Sequence, residues 1–434
     1  MLAVLFPFDR TSRRERRRPN AKGPSLAALL VAAVAFTLSV VTGARTAFAQ
    51  DDEESRPKTE FTPAPLVGGS SDLGIGGGVI ASLARVGPKY NPYLYRLEFV
   101  STTFFKSQQG HIKVPYFDNY LDLEIPDLVK GRMKLELRAA YTREATLKYY
   151  GIGDAAKLPS HADLDDPFYE YDRIHPEFSA KLRERIVGAL AIDLWLTFTY
   201  NRLDVPAGTL LAEDAHSSNA VVRNLITTFA PHSVATFSYG VEWDTRDNEV
   251  SPTKGQWETA RVDLSPGGYD GVPQRWGRAD GAVRFFVPVG KDGSALALHG
   301  VGDFLFGDPP FYELSRFDDT GAFGGPNGVR GIPAQRYHGM VKLFGQVEFR
   351  KMLFHFHALG KNNGVEAAVF ADGGRLWATY HDNPNLDGTG VGLKYGVGGG
   401  ARLVAGTSFV LRGDIAWSPD AKPIGAYIAA GNAF

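Results

Sequence analysis

From residue 61 onward the chain alternates between apolar and polar positions. In residues 192–201, Ile192, Leu194, Leu196, Phe198 and Tyr200 fall on one side, and Asp193, Trp195, Thr197, Thr199 and Asn201 fall on the other. Met133, Leu135, Leu137, Ala139 and Tyr141 likewise oppose Lys134, Glu136 and Arg138, and Gly281, Val283 and Phe285 oppose Asp280 and Arg284. A period of two is the signature of strands with unlike faces. Cut at the turn residues, the pattern predicts strands at roughly 63–69, 74–84, 93–104, 112–124, 132–148, 169–186, 189–203 and 233–243, then 255–264, 277–288, 294–306, 339–352, 365–373, 392–404, 407–417 and 424–434. That makes about sixteen, and an even number suits a closed antiparallel barrel. The first predicted strand is weak because Pro63 and Pro65 lack ladder donors, and the last contains Gly425 and Gly431. The joint between first and last strands is therefore a candidate weak seam.

Two environments fit such strands. A soluble sandwich buries the apolar face in its core, whereas a membrane barrel turns it to lipid and keeps the charged face in its lumen. The N-terminus favours the barrel. Arg10, Arg13, Arg14, Arg16, Arg17, Arg18 and Lys22 precede an apolar run over residues 26–41 and a small-x-small site, Ala47-Phe48-Ala49. This is a secretory signal pattern. The expected organisation is a signal peptide at 1–49, a polar lead-in at 50–60 and the barrel at 61–434. A closed barrel also satisfies every backbone group in lipid.

Charge and composition narrow the function. The chain has 47 Lys/Arg and 48 Asp/Glu; the first 49 residues hold eight and two of these, so the rest holds 39 and 46, a net of −7. No basic stripe suggests a nucleic-acid partner. There is no cysteine, hence no thiolate chemistry. No Gly-x-Ser-x-Gly elbow occurs, and no catalytic set is visible, so the reading is of a non-enzyme without cofactor. His355 and His357 share a strand face without a matched third ligand, and no metal is assigned. The glycine runs at 74–78 and 396–400 do not open a helix and suit close packing in the wall. Trp195, Trp243, Trp257, Trp377 and Trp417 lie at or near strand ends, where girdles form, although Trp195 has inward parity.

The long irregular segment 307–338 interrupts this regularity, and loops of that length are usually functional or disordered. It contains Gly324-Gly325-Pro326-Asn327-Gly328-Val329-Arg330-Gly331. The Gly324-Gly325 pair followed by Val329-Arg330-Gly331 resembles the sixth-loop signature of the outer-membrane assembly-factor superfamily, the BamA/TamA-like surface-antigen barrels. Phe370-Ala371-Asp372-Gly373-Gly374 is similar to that family's Phe-x-Asp-x-Gly strand motif, and Glu348 to its inward Glu. Asp244, Arg246 and Asp247 resemble its periplasmic turn, and Phe434 its terminal aromatic. The resemblance implies a barrel whose long loop enters the lumen, with Arg330 anchored to Asp372 and Glu348. It implies a factor inserting or translocating proteins at the outer membrane. Its partners would be outer-membrane lipid, the barrel-assembly machinery that recognises Phe434 for the chain's own insertion, and an unfolded client or a separate periplasmic protein. The short space between Gln50 and Phe61 leaves no room for the family's usual polypeptide-transport-associated repeats, so a short form is expected. A passive channel and a surface-structural ligand-binding barrel are the alternatives.

Overall fold

The computed structural model describes residues 57–434 apart from 130, 158–164, 227–228, 268–274, 318–319, 359–360, 407–408 and 421–423. The expected signal peptide and most of the lead-in lie outside the described residues. Sixteen strands follow in order: β1 (Lys58–Ser70), β2 (Gly74–Val86), β3 (Arg96–Gln108), β4 (His111–Ile125), β5 (Met133–Lys148), β6 (Glu170–Val187), β7 (Leu190–Asp204), β8 (His232–Asp244), β9 (Gly255–Ser265), β10 (Trp276–Val289), β11 (Ser294–Gly307), β12 (Val341–Ala358), β13 (Lys361–Trp377), β14 (Lys394–Ala405), β15 (Phe409–Trp417) and β16 (Gly425–Ala430). Each pairs antiparallel with its sequence neighbours, and β1 meets β16 to close the ring.

Parity places the two faces. Leu194, Leu196 and Phe198 on β7, Val283 and Phe285 on β10 and Val347 on β12 are exposed on the outside, while Asp193, Arg284 and Glu348, interleaved with them, are buried. An apolar outer band over a charged interior suits strands whose outer neighbours are lipid tails. Short turns join strands at one end of the barrel. The other end carries the long connections, including short helices at Leu210–Asp214, Ala220–Leu225 and Pro384–Asp387. There, Tyr149, Ile152, Leu211, Val222, Phe311, Leu314 and their neighbours form a buried apolar cluster.

Two local expectations need correction. β1 is longer than predicted and starts at Lys58, inside the expected lead-in; it pairs with β2 along its whole length, from Lys58 opposite Val86 to Ser70 opposite Gly74. Pro63 and Pro65 share the parity of Ser71, whose N–H donates to Ala426 O on β16. Their missing donors thus fall on the β16 edge, and the β2 ladder is intact. β16 is shorter than predicted. It ends at Ala430 because Gly431 takes φ 83°, a left-handed conformation that breaks the strand. Phe434 consequently leaves the wall and stacks on His299, with ring centroids 4.8 Å apart, on the inner face of β11. The tryptophans divide between girdle and interior, as the inward parity of Trp195 implies. Trp257 lies beneath the guanidinium groups of Arg246 (4.0 Å) and Arg284 (3.9 Å), and Trp195 sits between Lys181 (4.7 Å) and Arg261 (4.6 Å).

Candidate functional site: a loop arginine in a ring of carboxylates

The connection between β11 and β12 has local order of its own. Val329 N–H donates to Phe323 O (2.7 Å), Gly325 N–H to Ile332 O (2.8 Å) and Ile332 N–H to Val329 O (3.2 Å), which folds 323–332 into a compact double turn. Phe317, Phe323, Val329, Ile332 and Tyr337 from this connection pack against Val301, Phe344 and Leu376 of β11, β12 and β13. The glycine of the strand motif makes that packing feasible. A Cβ on Gly374 would lie 2.5 Å from Phe344 Cβ and 2.8 Å from the Phe323 ring.

At the apex of the turn, Arg330 is fully buried. Its Nε donates to Asp372 Oδ2 (2.8 Å) and its Nη2 to Asp372 Oδ1 (2.9 Å), a bidentate pair, while its own backbone N–H also reaches Asp372 Oδ2 (3.0 Å). Its Nη1 donates to Glu348 Oε2 (2.6 Å) and to Asp414 Oδ2 (3.3 Å). The guanidinium lies 3.3 Å from the centroid of the Phe370 ring. Planar, forked donors match carboxylates in a way that an ammonium cannot. Gly396 leaves room for the backbone, since a Cβ there would lie 1.8 Å from Arg330 O.

The structure thus brings together Arg330, Asp372, Glu348 and Phe370, with Gly324, Gly325, Val329, Gly331 and Gly374 shaping the approach. Sequence reasoning missed Asp414 and Arg402. Arg402 Nη2 donates to Glu348 Oε2 (3.0 Å), and its Nη1 donates to Asp414 Oδ1. Arg330 and Arg402 therefore share the same two acids in a closed ring. Around it, the strands contribute Arg350, Arg402 and Arg412 against Glu348, Glu366, Asp372 and Asp414. The wall is one cation short, and the loop supplies it. Further contacts tie the turn down: Gln346 Nε2 donates to Gly328 O (2.8 Å), Arg412 Nη2 to Asn327 Oδ1 (2.9 Å), and Gly331 N–H to Tyr427 Oη (2.9 Å). Asp414 and Arg412 share the buried face of β15 by simple alternation. What parity lacks is the register that sets Asp414 opposite Gly400 and Arg402 opposite Arg412.

The other predicted residues lie apart from this ring. Asp244 accepts from Arg246 Nε (2.9 Å) and Nη2 (2.6 Å), while Asp247 accepts from Thr253 N–H (2.9 Å), Thr253 Oγ1 (2.6 Å) and Lys254 N–H (3.1 Å). They shape the β8–β9 turn, whose Val250 and Pro252 carbonyls accept from Asn432 Nδ2 (3.1 Å) and Arg350 Nη1 (3.5 Å). His355 and His357 occupy the turn-end portion of β12, where His357 Nδ1 lies 3.1 Å from Asn362 Oδ1.

Cavities flank the loop on two sides. One, of about 640 Å³, is lined by charged side chains of β3–β10, including Arg96, Glu124, Lys134, Arg138 and Lys181. The other, of about 690 Å³, lies behind the β1–β16 joint and is mostly apolar, with Leu66, Val67, Phe104, Tyr116, Pro333 and Ile428 in its walls.

Residues 230–430 match the Omp85 superfamily domain. Among solved structures, the chain is similar to BamA from Haemophilus ducreyi lacking POTRA domains 1-3, at TM-score 0.59 and 14% identity over 92% of this chain and 78% of that one. It is also similar to CdiB from Escherichia coli, at TM-score 0.52 and 12% identity over 87% of this chain and 68% of that one. No curated protein sequence matches. At such identities the structural likeness shows a shared barrel fold.

Proposed function

We propose that this chain, a closed sixteen-strand barrel whose residues 230–430 match the Omp85 superfamily domain, is an outer-membrane barrel of that type that inserts or translocates polypeptides, with the β11–β12 connection as the cap of its lumen. The observation that carries this reading is the burial of Arg330 among Asp372, Glu348 and Asp414. A buried guanidinium that loses its carboxylates costs several kcal/mol, so the docked loop is a defined state and its release a defined event. The second element is the β1–β16 joint, which has two registered pairs, Gly69 opposite Ile428 and Ser70 opposite Tyr427. A substrate strand, or a lipid, would engage there. The apolar cavity behind the joint offers space of the size that ligand pockets have, about 300–1,000 Å³. Signal-directed export, delivery of the chain to the outer membrane by barrel-assembly machinery that reads Phe434, and a client or periplasmic partner belong to the same reading.

A passive channel is the second reading, favoured by the charged cavity beside the loop. Planar-bilayer recording separates the two. Under the first, the wild type conducts little, and deletion of residues 324–332 produces large steady openings. Large steady conductance in the wild type would instead mark a pore. Reconstituted vesicles then test insertion directly, by protection of an unfolded barrel client from protease with and without this protein.

A further inference from the structure

The loop segment after Arg330 does not return straight to β12. It crosses the inside of the joint between β1 and β16. Gly331 N–H donates to Tyr427 Oη on β16 (2.9 Å), and three residues later Ala334 N–H donates to Asp72 Oδ2 (3.1 Å). Asp72 lies in the tight turn linking β1 to β2. One bond thus reaches each side of the place where the ring closes. Close approach on the β16 side depends on Gly425, where a Cβ would stand 2.5 Å from Tyr427 Oη and 3.0 Å from Gly331 Cα. Gly331 itself has φ 93°, so the chain bends there in a conformation that favours glycine.

We infer that residues 331–334 act as a strap across the joint, and that Tyr427 and Asp72 are positioning residues through which docking of Arg330 holds β1 and β16 together. The energetic reason is the poverty of the joint. Two registered pairs and the Ser71 N–H bond to Ala426 O are the ladder that its described residues form. Each net hydrogen bond contributes about 1 kcal/mol, so two strap bonds are a large part of the total. The strap is rigidly referenced, because Gly331 is bonded in sequence to the residue seated in the carboxylate ring. Pulling Arg330 out of the ring therefore withdraws the strap from both strands at once. The strap also forms part of the wall of the apolar cavity, with Gly331, Pro333 and Ala334 facing Gly68, Asp72, Tyr427 and Ile428. Its departure opens that cavity and loosens the joint in the same movement.

The inference deepens the proposed function, since it rests on loop release as the working event, but its test does not need a client. Amide hydrogen exchange is followed by mass spectrometry on the full chain in detergent, in peptides covering β1 and β16. Tyr427→Phe keeps the ring and removes the hydroxyl; Asp72→Ala removes the other acceptor. Each is expected to speed exchange in both β1 and β16 roughly fivefold, the equivalent of one net hydrogen bond. Arg330→Ala is expected to speed it at least as much as the double variant, and adding Tyr427→Phe to Arg330→Ala is expected to add nothing, because the strap is already withdrawn. Peptides of β6 and β7 should not change. If Tyr427→Phe and Asp72→Ala leave β1 and β16 at the wild-type rate, or if Arg330→Ala loosens the loop alone, the strap is refuted while the insertion reading stands. If exchange follows the strap but the wild type protects no client in vesicles, the insertion reading falls and the strap remains.

Discussion

The wall under the loop and the joint three strands further round the ring are built on opposite principles. β12 and β13 pair from Val341 opposite Trp377 to Ala358 opposite Lys361, with one bulge, and their inner faces carry Gln346, Glu348 and Asp372 toward Arg330. β1 and β16 pair at two positions, and what lies behind them is an apolar cavity. The first region is over-determined by long ladders and buried charge; the second is held by few bonds of its own and by contacts borrowed from the loop. A ring of strands is closed by its weakest pair, and the strap proposed above would make the charged ring and the joint parts of one device. Buried ion pairs are poor at adding net stability but costly to break singly. That makes them suited to holding a loop in one place.

The comparison can be broken at either region. The largest effect is expected at the ring. Arg330→Ala leaves Glu348 and Asp414 with Arg402 but strips buried Asp372 of its bidentate partner, and loss of one partner from a buried pair costs about 3–5 kcal/mol. Limited proteolysis should show cleavage within 320–335 that the wild type resists. Arg330→Asp combined with Asp372→Arg should recover part of that resistance; equal sensitivity in the double variant would discredit the pairing. A smaller effect is expected at the joint. Phe434→Ala removes the stack on His299, a contact of about 1 kcal/mol. It should raise hydrogen exchange in β16 without altering cleavage of the loop, and a change in the loop alone would contradict the division drawn above.

The smallest effect is a pH dependence outside the strands. Asp154, in the β5–β6 connection, is buried with Lys394 Nζ 3.9 Å away. Burial pushes its carboxyl up to about 7, with Lys394 and Arg375 opposing. A carboxyl whose folded value lies above its unfolded one favours the folded connection at low pH, and that contribution declines as pH rises from about 4 to about 7. Protease resistance of residues 149–157 should thus be higher at pH 5 than at pH 8. Asp154→Asn should abolish the difference.

Much of this was readable from the chain, and the exceptions have physical causes. Alternation located the sixteen strands because most have one face for lipid and one for charge; β6 was expected at 169–186 and spans Glu170–Val187. The Arg330, Asp372 and Glu348 set came from motif resemblance, not from periodicity. Asp414 and Arg402 stayed hidden because inward parity says nothing about which inward residues stand side by side. That depends on the stagger between strands, which hairpin lengths alone leave open. β1 was underestimated because proline counts against a strand only on its donor side, and the sequence does not say which side is paired. β16 was overestimated because an apolar tail reads as strand until one glycine turns it inward. A position near a strand end did not decide whether Trp257 faces lipid; its ring serves two guanidinium groups.

The sharing of Glu348 and Asp414 by two arginines has a kinetic consequence. Neither acid belongs to the loop arginine alone, so breaking one contact gains nothing: the freed carboxylate is still gripped by Arg402, and the guanidinium is still gripped by Asp372. The segment cannot peel away contact by contact down a gentle slope. Under the release proposed above, it would leave in one stride, and the barrel would have two discrete conditions rather than a continuum.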